Sequence, residues 1–140
     1  MKFRPLIKCL ILLSLLSPAA NCFSNKDPDL ENKYKPGSLY SVLAPGQENG
    51  FNVVKVLAVT KGTVHVRLYK NKFPTRGDAA GAASATLSLG GIDDPEGFGL
   101  KHLPMDKETF EKLEPQFIRQ ESVSDEELQG FKDWKAATGN

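Results

Sequence analysis

Cysteine is almost absent from this 140-residue chain, which contains only Cys9 and Cys22, both near the N-terminus. The segment from Phe23 to Asn140 therefore cannot form a disulfide, use a thiol nucleophile or bind a metal through thiolates. Histidine is scarce too, with two in the whole chain. A domain without disulfides must be held together by its hydrophobic core, and this length is sufficient for one domain with such a core.

The chain also lacks a large net charge of either sign, since 18 Lys and Arg residues face 17 Asp and Glu residues. Three of the basic residues and none of the acidic residues lie in positions 1–22, so positions 23–140 keep 15 basic against 17 acidic residues, a formal charge of −2. Proteins that bind nucleic acids through the phosphate backbone carry a basic face. We therefore expect no nucleic acid among its partners.

A hydrophobic run of about 20 residues, the length that spans a bilayer, is missing as well. The first 22 residues instead follow the order of a secretory signal peptide. Lys2, Arg4 and Lys8 precede or flank a short apolar run at 9–16, and small residues follow at 17–22. We interpret 1–22 as a signal peptide and expect an exported bacterial protein, periplasmic or secreted, with a buried N-terminal helix as the alternative interpretation.

Cys22 leaves two interpretations of this signal open. A lipoprotein signal also ends shortly before a cysteine, which becomes the lipidated first residue of the mature protein. Ala19, Ala20 and Asn21 match that pattern only in part, because it prefers Leu at the first of these positions and a small residue at the last. In the other interpretation, ordinary cleavage occurs near Ala20 or Cys22. A lipid anchor on Cys22 is the only membrane attachment that we expect, and one acyl chain anchors weakly by itself.

The rest of the chain divides into a polar tether, predicted at 23–34, and a single small domain, predicted at 35–140. The strongest strand signals are the β-branched and aliphatic runs at 51–59 and 63–69, which lie on either side of Lys61 and Gly62. Gly62 supplies the positive φ that a tight turn needs. These runs predict a β-hairpin at the centre of the domain.

Shorter elements surround the predicted hairpin. Strands are predicted at 38–43 and 86–89, and 98–103 is predicted to form a last strand or an extended packing segment. The segment Lys70–Ser84 is predicted to be a long mobile loop, because its second half consists almost entirely of small residues.

Two short helices are predicted at the C-terminal end. Asp106 is placed to cap the first, which Pro115 should end or kink, and Ser124 with Glu127 forms a capping box for the second. Apolar residues recur at helical spacing in both, namely Phe110, Leu113 and Phe117 in the first and Leu128, Phe131 and Trp134 in the second. The predicted fold class is mainly β within α+β, a small bent antiparallel sheet or SH3-like barrel with two short C-terminal helices.

The stretch Lys35-Pro36-Gly37-Ser38-Leu39-Tyr40-Ser41-Val42, followed by the hairpin, resembles the opening of SH3-like barrels of the Tudor kind. It is also similar to bacterial immunity-protein-like domains and to uncharacterised exported domains that begin in this way. The resemblance covers residues 35–70 and implies a fold more than a function. No binding residues follow from it, because an aromatic cage needs several converging aromatics and only Tyr40 and Tyr69 are candidates.

The strip formed by His65, Arg67 and Tyr69 is the best candidate for a partner-binding face. These residues alternate along the second strand of the hairpin with apolar residues, so they share the face opposite to the predicted core. Tyr and Arg are enriched at the centres of protein interfaces. Two alternatives are a solvated strand face and a face covered by the C-terminal helices.

A second hypothesis is a small exported hydrolase or metal-dependent enzyme. Asp93, Asp94 and Glu96 precede His102, and carboxylate and imidazole groups are competent metal ligands. Their spacing matches no metal motif, and the chain has no Gly-x-Ser-x-Gly or His-Glu-x-x-His pattern. We therefore predict no catalytic, metal or cofactor site. We expect a non-enzymatic domain of the cell envelope that engages another protein, with an immunity or inhibitor role as one version.

Overall fold

The computed structural model describes residues 28–139. The predicted signal peptide at 1–22, including Cys22, and the first part of the predicted tether lie outside the described residues. In chain order the elements are α1 (Pro28–Lys33), β1 (Ser38–Leu43), β2 (Phe51–Thr60), β3 (Thr63–Phe73), α2 (Arg76–Gly81), a 3₁₀ turn (Ser84–Thr86), β4 (Leu100–Asp106), α3 (Lys107–Lys112), β5 (Gln116–Gln120) and α4 (Asp125–Thr138). None of the helices between residues 28 and 139 has the length and apolar character needed to cross a membrane.

The five strands form one antiparallel sheet in the order β4-β3-β2-β1-β5. The sheet is open, because β4 and β5 lie at its two edges, and the prediction of a small antiparallel sheet in an α+β domain is confirmed. The central hairpin is confirmed as well. Lys61 and Gly62 connect β2 to β3 with φ values of 38° and 83°, as a type I′ turn requires. Register shifts in every strand pair except β1–β2 mark β-bulges, which bend and twist strands.

One face of the sheet carries the larger core, which is covered by α1 and α3. Leu30 and Phe110 reach it from these helices, and both side chains are fully buried. The buried members of this core are Leu30, Tyr34, Tyr40, Val42, Val54, Val56, Val64, Val66, Met105 and Phe110. Burial of these side chains is the main force that holds α1 and α3 against the sheet.

The opposite face is covered too, by α2, by the connection that follows it and by α4. Its smaller core contains Leu39, Val53, Tyr69 and Ala79, with Leu87, Leu89 and Ile118 packed beside them. The central strands are therefore covered on both faces, which explains why β2 is apolar on both.

Helix α1 lies in the segment predicted to be a polar tether. Leu30 is fully buried and Tyr34 is 2% exposed, so the packed domain includes the residues from α1 onward. The helix is short and mostly polar, with one apolar residue facing the core, so no helical periodicity marked it in the sequence.

The prediction of a long loop at Lys70–Ser84 is wrong. Strand β3 continues to Phe73, and α2 begins after Thr75, whose hydroxyl accepts a hydrogen bond from the Asp78 backbone N–H. The small residues of α2 let it lie close to the sheet, where Ala79 is 1% exposed. The strand predicted at 86–89 is also wrong, since this stretch is a 3₁₀ turn followed by irregular chain.

The two predicted helix starts are confirmed. Asp106 accepts a hydrogen bond from the Thr109 backbone N–H at 2.8 Å, and Ser124 and Glu127 form the capping box of α4. The extension of the first helix to Phe117 is wrong, because α3 ends at Lys112 and Phe117 lies in β5.

Candidate functional site

The predicted partner face, formed by His65, Arg67 and Tyr69, is not open to solvent. His65 is fully buried and Tyr69 is 8% exposed, while Arg67 is half-buried. Helix α4 lies over the face, and the rings of Phe131 and Trp134 are each centred 4.7 Å from the His65 ring. The alternative that the C-terminal helices cover this face is therefore what the structure shows, and the prediction of an exposed partner face is corrected.

His65 and His102 form a stacked pair beneath α4. His65 Nδ1 lies 2.9 Å from His102 Nε2, and the rings are 5.1 Å apart at an interplanar angle of 12°. The other ring nitrogen of His65 lies 2.6 Å from the Thr60 hydroxyl. Burial, with a smaller contribution from His102, lowers the pKa of His65 to about 4, and burial also lowers the pKa of His102. Both nitrogens of His65 are used in contacts within the domain.

The carboxylates predicted to lie near His102 have a different partner. Lys70 Nζ lies 2.5 Å from Asp94 Oδ2 and 3.6 Å from Glu96 Oε2. The hydrogen bond from Lys70 is the largest cause that lowers the pKa of Asp94. Between residues 28 and 139, no three His, Cys, Asp or Glu side chains form a group that could hold a metal ion. Asp94 and Glu96 instead anchor a loop to β3, and His102 stacks on His65.

A buried ion pair joins the sheet to α4, and sequence analysis did not predict it. Lys55 is 4% exposed, and its ammonium lies 2.9 and 3.0 Å from the two carboxylate oxygens of Glu127 and 2.6 Å from the Ser122 carbonyl. Burial, and then the charge of Glu127, raise the pKa of Tyr69 to about 12. The one signal in the sequence is a lysine in the middle of a predominantly apolar strand. The pair fixes the start of α4 on the sheet.

Residues 87–99 form a connection that is tied to β3 and exposes apolar side chains. The Lys70 backbone N–H donates to the Ser88 carbonyl at 2.8 Å, which ties the start of the segment to β3. The Gly99 N–H donates to the Leu89 carbonyl at 2.7 Å, which joins the two ends of the segment to each other. Ile92 is 82% exposed and Phe98 is 55% exposed. We name this segment the 87–99 connection. It exposes two large apolar side chains on a backbone whose start is bonded to β3 and whose ends are bonded to each other.

Gly99 is required for the close approach of this connection to the sheet. A Cβ atom at this position would lie 2.1 Å from the Leu68 carbonyl oxygen, a distance that no side chain tolerates. Lys70 supports the middle of the connection through Asp94, and Phe98 borders a groove of about 200 Å³ beside Leu68. The connection is therefore positioned by packing and hydrogen bonds along its length.

Tyr40 and Tyr69, the candidates for an aromatic cage, are not brought together. Tyr40 packs in the larger core between Tyr34, Phe110 and Phe117, whereas Tyr69 belongs to the core on the opposite face. Their positions in separate cores follow from the alternation of side chains in antiparallel strands.

Comparisons with protein families, curated proteins and solved structures find no match to this chain. The resemblance of residues 35–70 to SH3-like and immunity-protein-like domains stays a prediction. The function therefore has to be inferred from the charges, contacts and exposed surfaces of the chain itself.

Proposed function

We propose that this chain is an exported, non-enzymatic binding domain of the cell envelope, and that it engages another protein through the 87–99 connection. The observation that carries the proposal is the exposure of Ile92 and Phe98 on a segment that is anchored to β3. Export is proposed from the order of charged, apolar and small residues in positions 1–22.

The 87–99 connection has the properties of a preformed docking surface. Exposed large apolar side chains are common singly, but Ile92 and Phe98 belong to one short segment, and Leu100 at its end is 36% exposed. The Lys70–Asp94 pair and the close contact at Gly99 restrict the backbone before any partner arrives. A surface that is already ordered loses less entropy on binding than a mobile loop would.

The charges around these side chains favour a protein partner over a simple apolar surface. Asp93 and Glu96 are exposed beside the apolar residues, and Lys72 lies exposed at the end of the neighbouring strand. An apolar centre with a charged rim is the usual composition of a protein interface. The partner surface should present apolar side chains opposite Phe98, where truncation of one aromatic residue costs most.

The contacts of the candidate catalytic groups support a non-enzymatic role. His65 has both ring nitrogens engaged beneath α4, and Asp94 is held by Lys70. A general base must lie within hydrogen-bond reach of a substrate proton, and His65 could reach one only if α4 moved. The alternative of a hydrolase or metal-dependent enzyme at Asp93, Asp94, Glu96 and His102 therefore has no geometric support.

The test is capture of the partner from envelope fractions of the cells that produce the full-length chain. Wild-type protein and the Phe98→Ala variant serve as baits, and Phe117→Ala is the matched control because Phe117 is 61% exposed in β5, at the opposite edge of the sheet. We expect one protein to be retained by the wild type and by Phe117→Ala and lost with Phe98→Ala. An immunity or inhibitor role predicts in addition that the captured protein loses its own activity when bound. Retention of the same protein by all three baits, or recovery of the chain from the cytoplasm alone, would contradict the proposal.

A further inference from the structure

A second, separate cavity lies under α4, on the side of Arg67. It has a volume of about 250 Å³. Its lining includes Arg67, Leu89, Lys101, Glu126, Gln129 and Asp133. We name this cavity the Arg67 pocket. Its floor is formed by β3 and β4, and its walls are α4 and the beginning of the 87–99 connection.

A β-bulge places two charged side chains at the floor of the Arg67 pocket. Val66 pairs with Leu103 and Leu68 pairs with Leu100, so Lys101 and His102 of β4 both lie opposite Arg67 of β3. His102 turns to His65, and Lys101 joins Arg67 in the lining. Bulges of this kind redirect side chains and are frequent beside functional sites.

Arg67 is half-buried, and its Nε atom is fully buried without a hydrogen-bond partner among residues 28–139. Its charge interacts with the Glu127 carboxylate, but no hydrogen bond joins the two side chains. The carboxylate of Glu127 is already occupied by Lys55 and by the Ser124 backbone N–H. Other partly buried cations of the domain have anionic or carbonyl partners, as Arg76 has with Ser41 and Glu114. Because the Glu127 carboxylate is hydrogen-bonded to Lys55 and not to Arg67, a ligand anion would give the guanidinium a directly bonded partner and offset the cost of its partial burial.

The wall on α4 supplies the opposite charge. Glu126, Gln129 and Asp133 recur at spacings of three and four residues, so they lie on one face of the helix. Gln129 donates a hydrogen bond to Asp133 at 2.7 Å. Glu126 and Lys101 have no ion pair among the described residues. The Arg67 pocket thus combines the half-buried Arg67, the exposed charged side chains of Lys101, Glu126 and Asp133, and the apolar side chain of Leu89.

We propose that the Arg67 pocket binds a small zwitterion of the size of an α-amino acid. Its carboxylate is held by Arg67, whose planar fork suits a carboxylate, and by Lys101. Its ammonium group lies against Glu126, and its side chain contacts Leu89. This site does not depend on the 87–99 connection being a docking surface.

Isothermal titration calorimetry on the full chain, purified from the envelope fraction, tests the proposal. The probes are glycine, L-alanine, L-leucine and L-glutamate, together with acetate and methylamine, which carry the carboxylate and the ammonium alone. We expect at least one amino acid to bind with a dissociation constant below about 1 mM, and to bind at least about tenfold more tightly than acetate or methylamine. If none of the four amino acids binds, the proposal is overturned. If acetate binds as tightly as the amino acids, the ammonium group contributes nothing and the proposal of a zwitterionic ligand is overturned.

Substitutions of the residues that line the Arg67 pocket test whether the ligand binds there. Arg67→Gln and Lys101→Gln should each weaken amino acid binding at least about tenfold, and Lys101 is exposed, so its variant should fold even if Arg67→Gln does not. Glu126→Gln should weaken amino acid binding but leave acetate binding unchanged. Asp125→Asn is its matched control, since it removes the same charge from the first turn of α4 outside the pocket lining. Equal effects of Glu126→Gln and Asp125→Asn, or no effect of Lys101→Gln, would contradict the assignment.

Discussion

The Nδ1 atom of His65 lies 2.9 Å from the Nε2 atom of His102, and the two rings stack beneath α4. One ring must donate the hydrogen and the other must accept it, so the contact exists only while at least one imidazole is neutral. Phe131 and Trp134 of α4 cover the pair. The docking of α4 is therefore linked to the protonation of two histidines.

This link predicts that stability falls as the pH is lowered. The pKa of His65 is about 4 in the folded domain against an ordinary value of 6.5, so the unfolded chain binds more protons between these values. The contribution of His65 to the free energy of unfolding should be fully present above about pH 6.5. It should be lost as the pH falls to about 4, which lowers the free energy of unfolding by up to about 3 kcal/mol. Urea unfolding followed by the fluorescence of Trp134 measures this loss.

The control for the pH prediction is His65→Asn, which keeps a polar side chain but does not titrate. This variant should be less stable than the wild type at neutral pH and should lose less stability between about pH 6.5 and pH 4.5. The same pH dependence in both proteins would show that other groups cause it.

Gly130→Ala should destabilise the domain, although alanine favours helices by about 1 kcal/mol over glycine. A Cβ atom at position 130 would lie 2.8 Å from the His102 Cβ, so α4 would have to move away from β4. We expect a net loss of about 1 kcal/mol or more in the free energy of unfolding. Denaturant unfolding measures the change in the free energy of unfolding, with Gln129→Ala, an exposed substitution in the same turn, as the comparison. A gain in stability of Gly130→Ala would contradict the inference that α4 and β4 are too close for a side chain at position 130.

Lys55→Met should cost about 3 kcal/mol of stability, because it leaves the Glu127 carboxylate and the Ser122 carbonyl without their buried donor. Methionine has a similar length, so the loss is electrostatic rather than steric. In the double variant Lys55→Met/Glu127→Gln, the cost should be smaller than the sum of the two single costs. Additive costs in this double-mutant cycle would mean that the interaction between Lys55 and Glu127 does not contribute to the free energy of unfolding.

Lys70→Met should reduce partner binding while the fold remains intact. It removes the ion pair to Asp94, so the 87–99 connection loses one of its anchors and must be ordered on binding. Lys132→Met is the matched control, because it removes an exposed ion pair to Asp125 on α4. Circular dichroism first verifies the fold of each variant, and the affinity for the captured partner is then compared between the two. Equal affinities would contradict the role of Lys70 in ordering the 87–99 connection.

Local signals in the sequence predicted the hairpin turn and both helix starts. Gly62 follows the lysine at the turn, and the side chains of Asp106 and Ser124 satisfy backbone N–H groups within three residues, so these features depend on neighbours in the chain. Phe117 misled the prediction because it stands at helical spacing from Phe110, and only its pairing with Tyr40 makes it part of a strand. Pairing between distant segments is not encoded in local periodicity.

The sites depended even more on tertiary contacts. Alternation placed His65, Arg67 and Tyr69 on one face, and the structure confirms that they share it, but alternation cannot tell which element covers a face. The Arg67 pocket requires a bulge opposite Arg67 and the position of α4, neither of which has a local signature. Ile92 has no signal that distinguishes it from an ordinary loop residue, and Phe98 was predicted to begin a strand or extended packing segment at 98–103, whereas β4 begins at Leu100. Their exposed positions follow from the contacts of Lys70 and Gly99, which no local pattern indicates.

Site-specific photo-crosslinking in living cells tests the central claim most directly. A photoreactive phenylalanine analogue replaces Phe98 in one version of the full-length chain and Phe117 in another, and both positions are exposed aromatic residues. The account predicts one discrete adduct with an envelope protein from position 98 and none from position 117. Adducts of the same pattern from both positions, or from neither, would contradict the proposal that the 87–99 connection engages another protein.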